Sequence, residues 1–207
     1  MTPFLTIIIP TIGRAGLERT LRSIRQQAME TDVTVVYDSH SALVPDRLYD
    51  LTEKYEVDLV YHDGGIHAWG HPQRNYGVEG AVGGWLAWMA DDDIYAEGAF
   101  EQIQAAIDTL EYPMPLIFRA RMHFGETLWK RPVIEAGNID ASMFVVPNDP
   151  AKLGTWTNRY TGDVDFISET VAKYSGAVSW RPEVIAITRP TVEQDWTTKS
   201  VRVGVRI

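Results

Sequence analysis

Apolar positions along the chain fall into two kinds of run. Phe4 to Ile9 is a continuous apolar, largely β-branched stretch that stops at Pro10-Thr11-Ile12-Gly13, the pattern of a central parallel strand closed by a turn. Leu17, Leu21, Ile24 and Ala28 then recur at helical spacing, with Arg19, Arg22 and Arg25 on other faces. Val33 to Tyr37 predicts a second strand ending at Asp38-Ser39, Leu48, Leu51 and Tyr55 a second helix, and Val57 to Tyr61 a third strand followed by Asp63-Gly64-Gly65. This order predicts right-handed crossovers and a parallel sheet. Ligands of such sheets sit at the carboxyl ends of the strands, which directs attention to Thr11, Arg14, Asp38 and Asp63.

Pro72 is well placed to start a helix. Trp85 to Ala90 predicts a fourth strand that runs into Asp91-Asp92-Asp93. Phe100, Ile103, Ile107 and Leu110 mark a helix, Leu116 to Arg121 and Ser142 to Val146 two strands, and Asp163 to Tyr174 another helix. Val178 to Trp180 and Val184 to Thr188 predict two short strands, and Lys199, Arg202 and Arg206 form a basic tail. No repeat or linker interrupts this order, so residues 1–207 are expected to form one α/β domain whose second half, 96–207, is less regular than its first, 1–95.

Hydrophobic residues make up 45% of the 207, enough for a sizeable core. There is no cysteine, which excludes disulfides, thiolate metal sites and cysteine nucleophiles. The net charge of −9 argues against tight non-specific nucleic-acid binding while leaving room for a local basic channel. Met1 to Pro10 is apolar but short and lacks a basic leader, so it reads as a strand and not a signal peptide. No run is long enough to insert in a bilayer.

The aspartate run is the chemically costly feature. Three adjacent carboxylates repel and raise one another's pKa. A hard divalent cation, Mg²⁺ or Mn²⁺, would offset them through oxygen ligands. In an extended segment Asp91 and Asp93 share one side and Asp92 takes the other. The competing reading is a solvated turn that starts the following helix.

Context adds to this. Ile7-Ile8-Ile9-Pro10-Thr11 with Arg14, Val35-Val36-Tyr37-Asp38-Ser39, Gln73-Arg74-Asn75-Tyr76-Gly77 and Trp85 to Tyr95 occur in order, and together they resemble the successive motifs of family-2 glycosyltransferases with the GT-A fold. Gly137 to Phe144, Gly162 to Phe166 and Val178 to Arg189 resemble that family's acceptor-side segments. The resemblance implies a GT-A mixed sheet with flanking helices, a nucleotide-sugar-binding half at 1–95 and an acceptor-side half at 96–207. It implies an inverting, metal-dependent transfer of a sugar from a nucleotide-diphosphate sugar, UDP-type favoured, to an acceptor hydroxyl. Pro10, Thr11, Arg14, Asp38, Arg74, Asp91 and Asp92 would bind the donor. Asp93, with Asp91, would hold Mn²⁺ or Mg²⁺. Asp163 would be the catalytic base, with Asp165 its neighbouring rival. The competing roles are an ion pair for Arg74 and a first-turn helix carboxylate for Asp163.

The sequence departs from the family pattern at three places. Ala90 stands where an Asp is usual, Gly162 replaces the Glu of a Glu-Asp pair, and no His follows His123, so water or Asp195 would have to complete a metal shell. His67, Trp69 and His71 read as a loop beside the donor or as packed side chains, and Trp129, Trp156, Trp180 and Trp196 as core. The expected acceptor is a saccharide or glycan. The motifs are also similar to phage-encoded enzymes, and a hydroxymethylated pyrimidine in DNA is the second acceptor; Arg119, Arg121, Lys130, Arg131 and the tail would then track phosphates. Either setting implies a bacterial or phage-infected host cytoplasm. Two alternatives are a nucleotidyltransferase, against which Pro10 to Gly16 carries only two glycines for gripping a triphosphate, and a non-catalytic sugar-nucleotide-binding module.

Overall fold

The structure is a computed structural model and describes residues 4–39, 46–63 and 68–199. The elements run β1 (Leu5–Thr11), α1 (Leu17–Arg25), β2 (Asp32–Asp38), α2 (Asp46–Lys54), β3 (Asp58–His62), α3 (His71–Glu79), β4 (Trp85–Trp88), β5 (Ile94–Tyr95), α4 (Ala99–Asp108), β6 (Leu116–Arg121), β7 (Thr127–Leu128), β8 (Phe144–Pro147), α5 (Gly162–Lys173), β9 (Ser179–Ile187) and α6 (Trp196–Lys199). They build one mixed sheet in the order β3-β2-β1-β4-β8-β6-β9-β5, with β7 beside β6. Strands β1 to β4 are mutually parallel, as the apolar runs predict. Strand β8 runs antiparallel between β4 and β6, and β9 pairs parallel to β6 and antiparallel to β5. This is the mixed, helix-flanked sheet of the GT-A class. One hydrophobic cluster extends through it from Leu5 to Ala186.

Helix α3 lies flat on this sheet because residue 77 has no side chain. A Cβ at Gly77 would stand 2.6 Å from Ile8 Cγ2 and 3.1 Å from Val36 Cγ2. Helix α1 presses its start against the aspartate run in the same way, a Cβ at Gly16 falling 2.7 Å from the Asp91 carbonyl oxygen.

Several boundaries differ from the sequence reading. Strand β4 ends at Trp88, two residues early, because the chain turns at Asp91-Asp92 and Asp93 N–H donates to the Ala90 carbonyl at 3.3 Å. Ser142 belongs to a 3-10 turn, Ala141–Met143, drawn tight when Asp140 accepts from its N–H and hydroxyl at 2.9 and 2.7 Å. The two short strands predicted at 178–188 are the single strand β9, whose register against β6 shifts beside Arg119. Helix α3 starts at His71, so that residue is helical rather than part of a loop. Gly64, Gly65, His67, Arg202 and Arg206 lie outside the described residues.

Candidate functional site

The carboxyl ends of β1, β2 and β4 and the start of α3 enclose a cavity of about 290 Å³. Pro10, Thr11, Arg14, Asp38, Arg74 and Asp91 line it together, joined by Ala68 to Gly70 and Gln73. A wider groove of about 930 Å³ opens at the opposite sheet edge, where β2 and β3 begin, and carries none of the motif residues.

The aspartate turn is stitched from both ends of the chain. Thr11 Oγ1 donates to Asp91 Oδ2 at 2.6 Å, and Arg14 Nη1 lies 3.2 Å from Asp91 Oδ1. Burial pushes the Asp91 pKa up, against the opposing pull of Thr11 and Arg14. Asp92 Oδ2 sits between two guanidinium groups, 3.4 Å from Arg14 Nη1 and 3.3 Å from Arg189 Nε. Asp93 is 6% exposed; its Oδ1 accepts from the Arg189 N–H at 2.8 Å, while Thr20 Oγ1 donates to its carbonyl at 2.6 Å. Burial, then the neighbouring Asp140 charge, push Asp93 up to about 8. Asp91 and Asp93 are thus buried and Asp92 more open, in a segment that turns where the sequence reading considered an extended run.

Arg74 is the buried counter-charge. Its pKa is lowered by burial, and Asp140, Asp163, Asp93 and Asp91 all act to hold the charge. Its Nη1 donates to the Trp69 carbonyl at 2.8 Å and meets His71 Nδ1 at 3.3 Å, and the guanidinium lies 5.0 Å over the Trp156 ring. His71 is held neutral, its pKa lowered to about 4 by burial and then by Arg74. Its Nε2 faces the Arg159 carbonyl at 3.0 Å, so Nδ1 is the acceptor for Arg74. The ring stacks on Trp156 at 5.4 Å, and Trp156 stacks on Phe166 at 4.4 Å. Asn75 clamps the Trp156 backbone, donating to its carbonyl and accepting from its N–H, both at 3.0 Å. His71 and Trp156 are therefore packing residues that tie α3 to the start of α5.

That start is crowded, which explains Gly162. A Cβ there would lie 2.3 Å from the Thr157 carbonyl oxygen and 2.7 Å from the His71 ring. Gly162→Ala should therefore destabilise the fold by about 1–3 kcal/mol, read as a lowered urea midpoint. An unchanged midpoint would show that the contact is slack.

Asp163 and Asp165 have different surroundings. Asp163 is pushed up to about 6, first by burial and then by Asp140, with Arg74 opposing. Asp165 accepts from Thr157 Oγ1 and pairs with Arg159, which lowers its pKa. Sequence reasoning assigned no role to Asp140, which stands electrostatically between Asp93 and Asp163. The only signal was its place in the Gly137 to Phe144 segment. Asp195 is engaged with Thr197 and lies 4.0 Å from Arg19.

Among the described residues, no group of three or more His, Asp or Glu is arranged to hold a metal. Asp93 nonetheless fits a shared cation: it is a buried carboxylate with raised pKa whose proton a cation would displace. Mg²⁺-type ions commonly take only one or two protein carboxylates, with phosphates and water completing the shell.

Three of the basic residues considered for a phosphate track have local partners. Lys130 pairs with Glu126 and Arg131 with Glu135, each at 2.8 Å, and Arg119 lies 4.4 Å over the Trp129 ring. No helix among the described residues is long and apolar enough to cross a membrane.

Sheet order, strand-end cavity and acidic turn together define a GT-A-type α/β fold. The sequence model for Glycosyl transferase family 2 matches residues 6–161, and the chain belongs to that family. Similar solved structures include S. aureus TarS, at 15% identity and a TM-score of 0.69 over 96% of this chain and 39% of TarS. Another is TarS 1-349 in complex with UDP-GlcNAc, at 15% identity and 0.66 over 98% of this chain and 61% of that one. A third is the mannosyltransferase PcManGT from Pyrobaculum calidifontis in complex with GDP-Man and Mn²⁺, at 14% identity and 0.62 over all of this chain and 66% of that one. The chain thus spans between 39% and 66% of these proteins' lengths. No curated protein sequence matches.

Proposed function

We propose that this protein is an inverting glycosyltransferase that uses a nucleotide-diphosphate sugar, UDP-type favoured, with a divalent cation at Asp93. One observation carries the reading. Residues from separate strand ends and a helix start (Thr11, Arg14, Asp38, Arg74 and Asp91) converge on one cavity beside a buried acidic turn. The complexes of the similar structures, UDP-GlcNAc in TarS and GDP-Man with Mn²⁺ in the mannosyltransferase, support both donor and cation.

Asp38 accepts an N–H from the base, Pro10 and Thr11 wall the nucleotide, and Arg14 and Arg74 face the diphosphate with guanidinium donors. Asp93 would hold a divalent cation, which when bound would supply positive charge to offset that of the leaving diphosphate. Asp163 takes the acceptor proton as the acceptor oxygen bonds to the anomeric carbon and the bond to the diphosphate breaks. Attack opposite the leaving group inverts that carbon. Asp165 is held by Arg159 and is assigned to shape the α5 start. The acceptor is a saccharide hydroxyl; with Lys130 and Arg131 paired locally, no observation favours DNA over it.

A panel of UDP-, GDP-, CDP- and dTDP-sugars, each with Mn²⁺, tests this by thermal shift, because a ligand selective for the folded state stabilises it by mass action. A UDP-sugar should give the largest shift, and slow Mn²⁺-dependent donor hydrolysis should accompany it. Stabilisation without hydrolysis would favour a binding module, and pyrophosphate release from a nucleoside triphosphate would favour a nucleotidyltransferase.

A further inference from the structure

Gln73 is 1% exposed, and neither its Nε2 nor its Oε1 has a hydrogen-bond partner. Two unmet ends on one buried amide are rare and costly, and a leucine would fill similar volume without that penalty. The residue lines the strand-end cavity.

Helix α3 sets where along the cavity it lies. Gly77 rests on Ile8 and Val36, and Gln73 is about one turn, roughly 5.4 Å, closer to the helix start. That end lies over the carboxyl ends of β1 and β2, as the contact of Gly70 with Pro10 requires. Pro10 pairs with Val36 in the sheet register, and Asp38 follows on the same face. This puts Gln73 on the β1–β2 side of the cavity, whose lining it shares with Pro10 and Asp38. Its amide holds no bond that must break when it rotates toward a ligand.

Resting on the donor-site reading above, we propose that Gln73 reads the nucleobase. Its amide N–H donates to a ring carbonyl next to the ring N–H that Asp38 accepts. The chemistry recognised is an N–H beside a C=O, the edge shared by uracil, thymine and guanine. Cytosine and adenine place a bare ring nitrogen beside an amino group, which would set a lone pair against the Asp38 carboxylate. The orphaned amide is thus a specificity residue whose partner arrives with the donor.

Calorimetric titration of the full chain with UDP, GDP, CDP, ADP and pyrophosphate, each with Mn²⁺, tests this in wild type, Gln73→Leu and Gln73→Glu. Wild type should bind UDP or GDP at least tenfold more tightly than CDP or ADP. Gln73→Leu should weaken that preferred nucleotide about tenfold, leave pyrophosphate unchanged, and melt at or above the wild-type temperature without ligand. Gln73→Glu keeps the shape and removes the donor, so it should show the same loss even if the leucine variant does not fold. Preference for CDP or ADP, unaltered nucleotide binding in both variants, or an equal loss of pyrophosphate would overturn the assignment. If wild type binds none of the nucleotides, the donor-site reading itself fails and this one with it.

Discussion

Asp163→Asn should lower kcat by about 10²–10⁴-fold while leaving donor affinity unchanged, because the role proposed for the carboxylate is to take the acceptor proton and not to touch the nucleotide. Its raised pKa, about 6, suits a base at neutral pH. In wild type, kcat/KM should therefore rise with pH through about 6 and level above it, and the residual activity of the variant should lack that limb. Stability should move the other way. Below about pH 4 the group is protonated in both folded and unfolded chains and costs nothing. As pH rises from about 4 through 6, the unfolded chain releases its proton first, so the native state loses about 2–3 kcal/mol. Asparagine removes that penalty. The variant should match wild type near pH 4 and exceed it in urea melts at pH 8, inactive but more stable. Loss of activity together with loss of donor binding would instead assign Asp163 to the donor site.

The second large effect is expected at Asp93. Asp93→Asn should abolish the Mn²⁺-dependent part of UDP stabilisation and reduce turnover by about 10³-fold. Asparagine is the informative choice because it keeps an Oδ1 acceptor for the Arg189 N–H, so the turn keeps its anchor. Asp92→Asn serves as the comparison. That carboxylate lies between Arg14 and Arg189 on the open side of the turn, and its loss should cost about tenfold or less. If Mn²⁺ still enhances UDP stabilisation in Asp93→Asn, the cation lies elsewhere.

The first half was legible because its signals are local. A continuous apolar run followed by a turn places Thr11, and the same logic places Asp38, so each lands at a strand end without tertiary knowledge. The second half was harder because its geometry is set by partners distant in sequence. Strand β9 is continuous only because it pairs with both β6 and β5, and a run containing Arg181, Pro182 and Glu183 carries no alternation that predicts this. Asp140 joins the site through a 3-10 turn, which has no apolar period to announce it. Gly162 in place of a glutamate looked like a weakened motif; the His71 ring and the Thr157 carbonyl show that the position has no room for a side chain. His71 reads from the sequence either as a loop residue beside the donor or as a packed side chain, and its stacking on Trp156 shows that it packs.

The tether from Arg189 to Asp93 spans ninety-six positions of sequence. A chain emerging from the ribosome therefore displays every donor-side motif well before it has made the amide that fastens the acidic turn. Fragments ending before β9 would carry the recognisable signature yet leave that turn loose. The order of synthesis thus delays completion of the acidic turn until the chain has been made through Arg189.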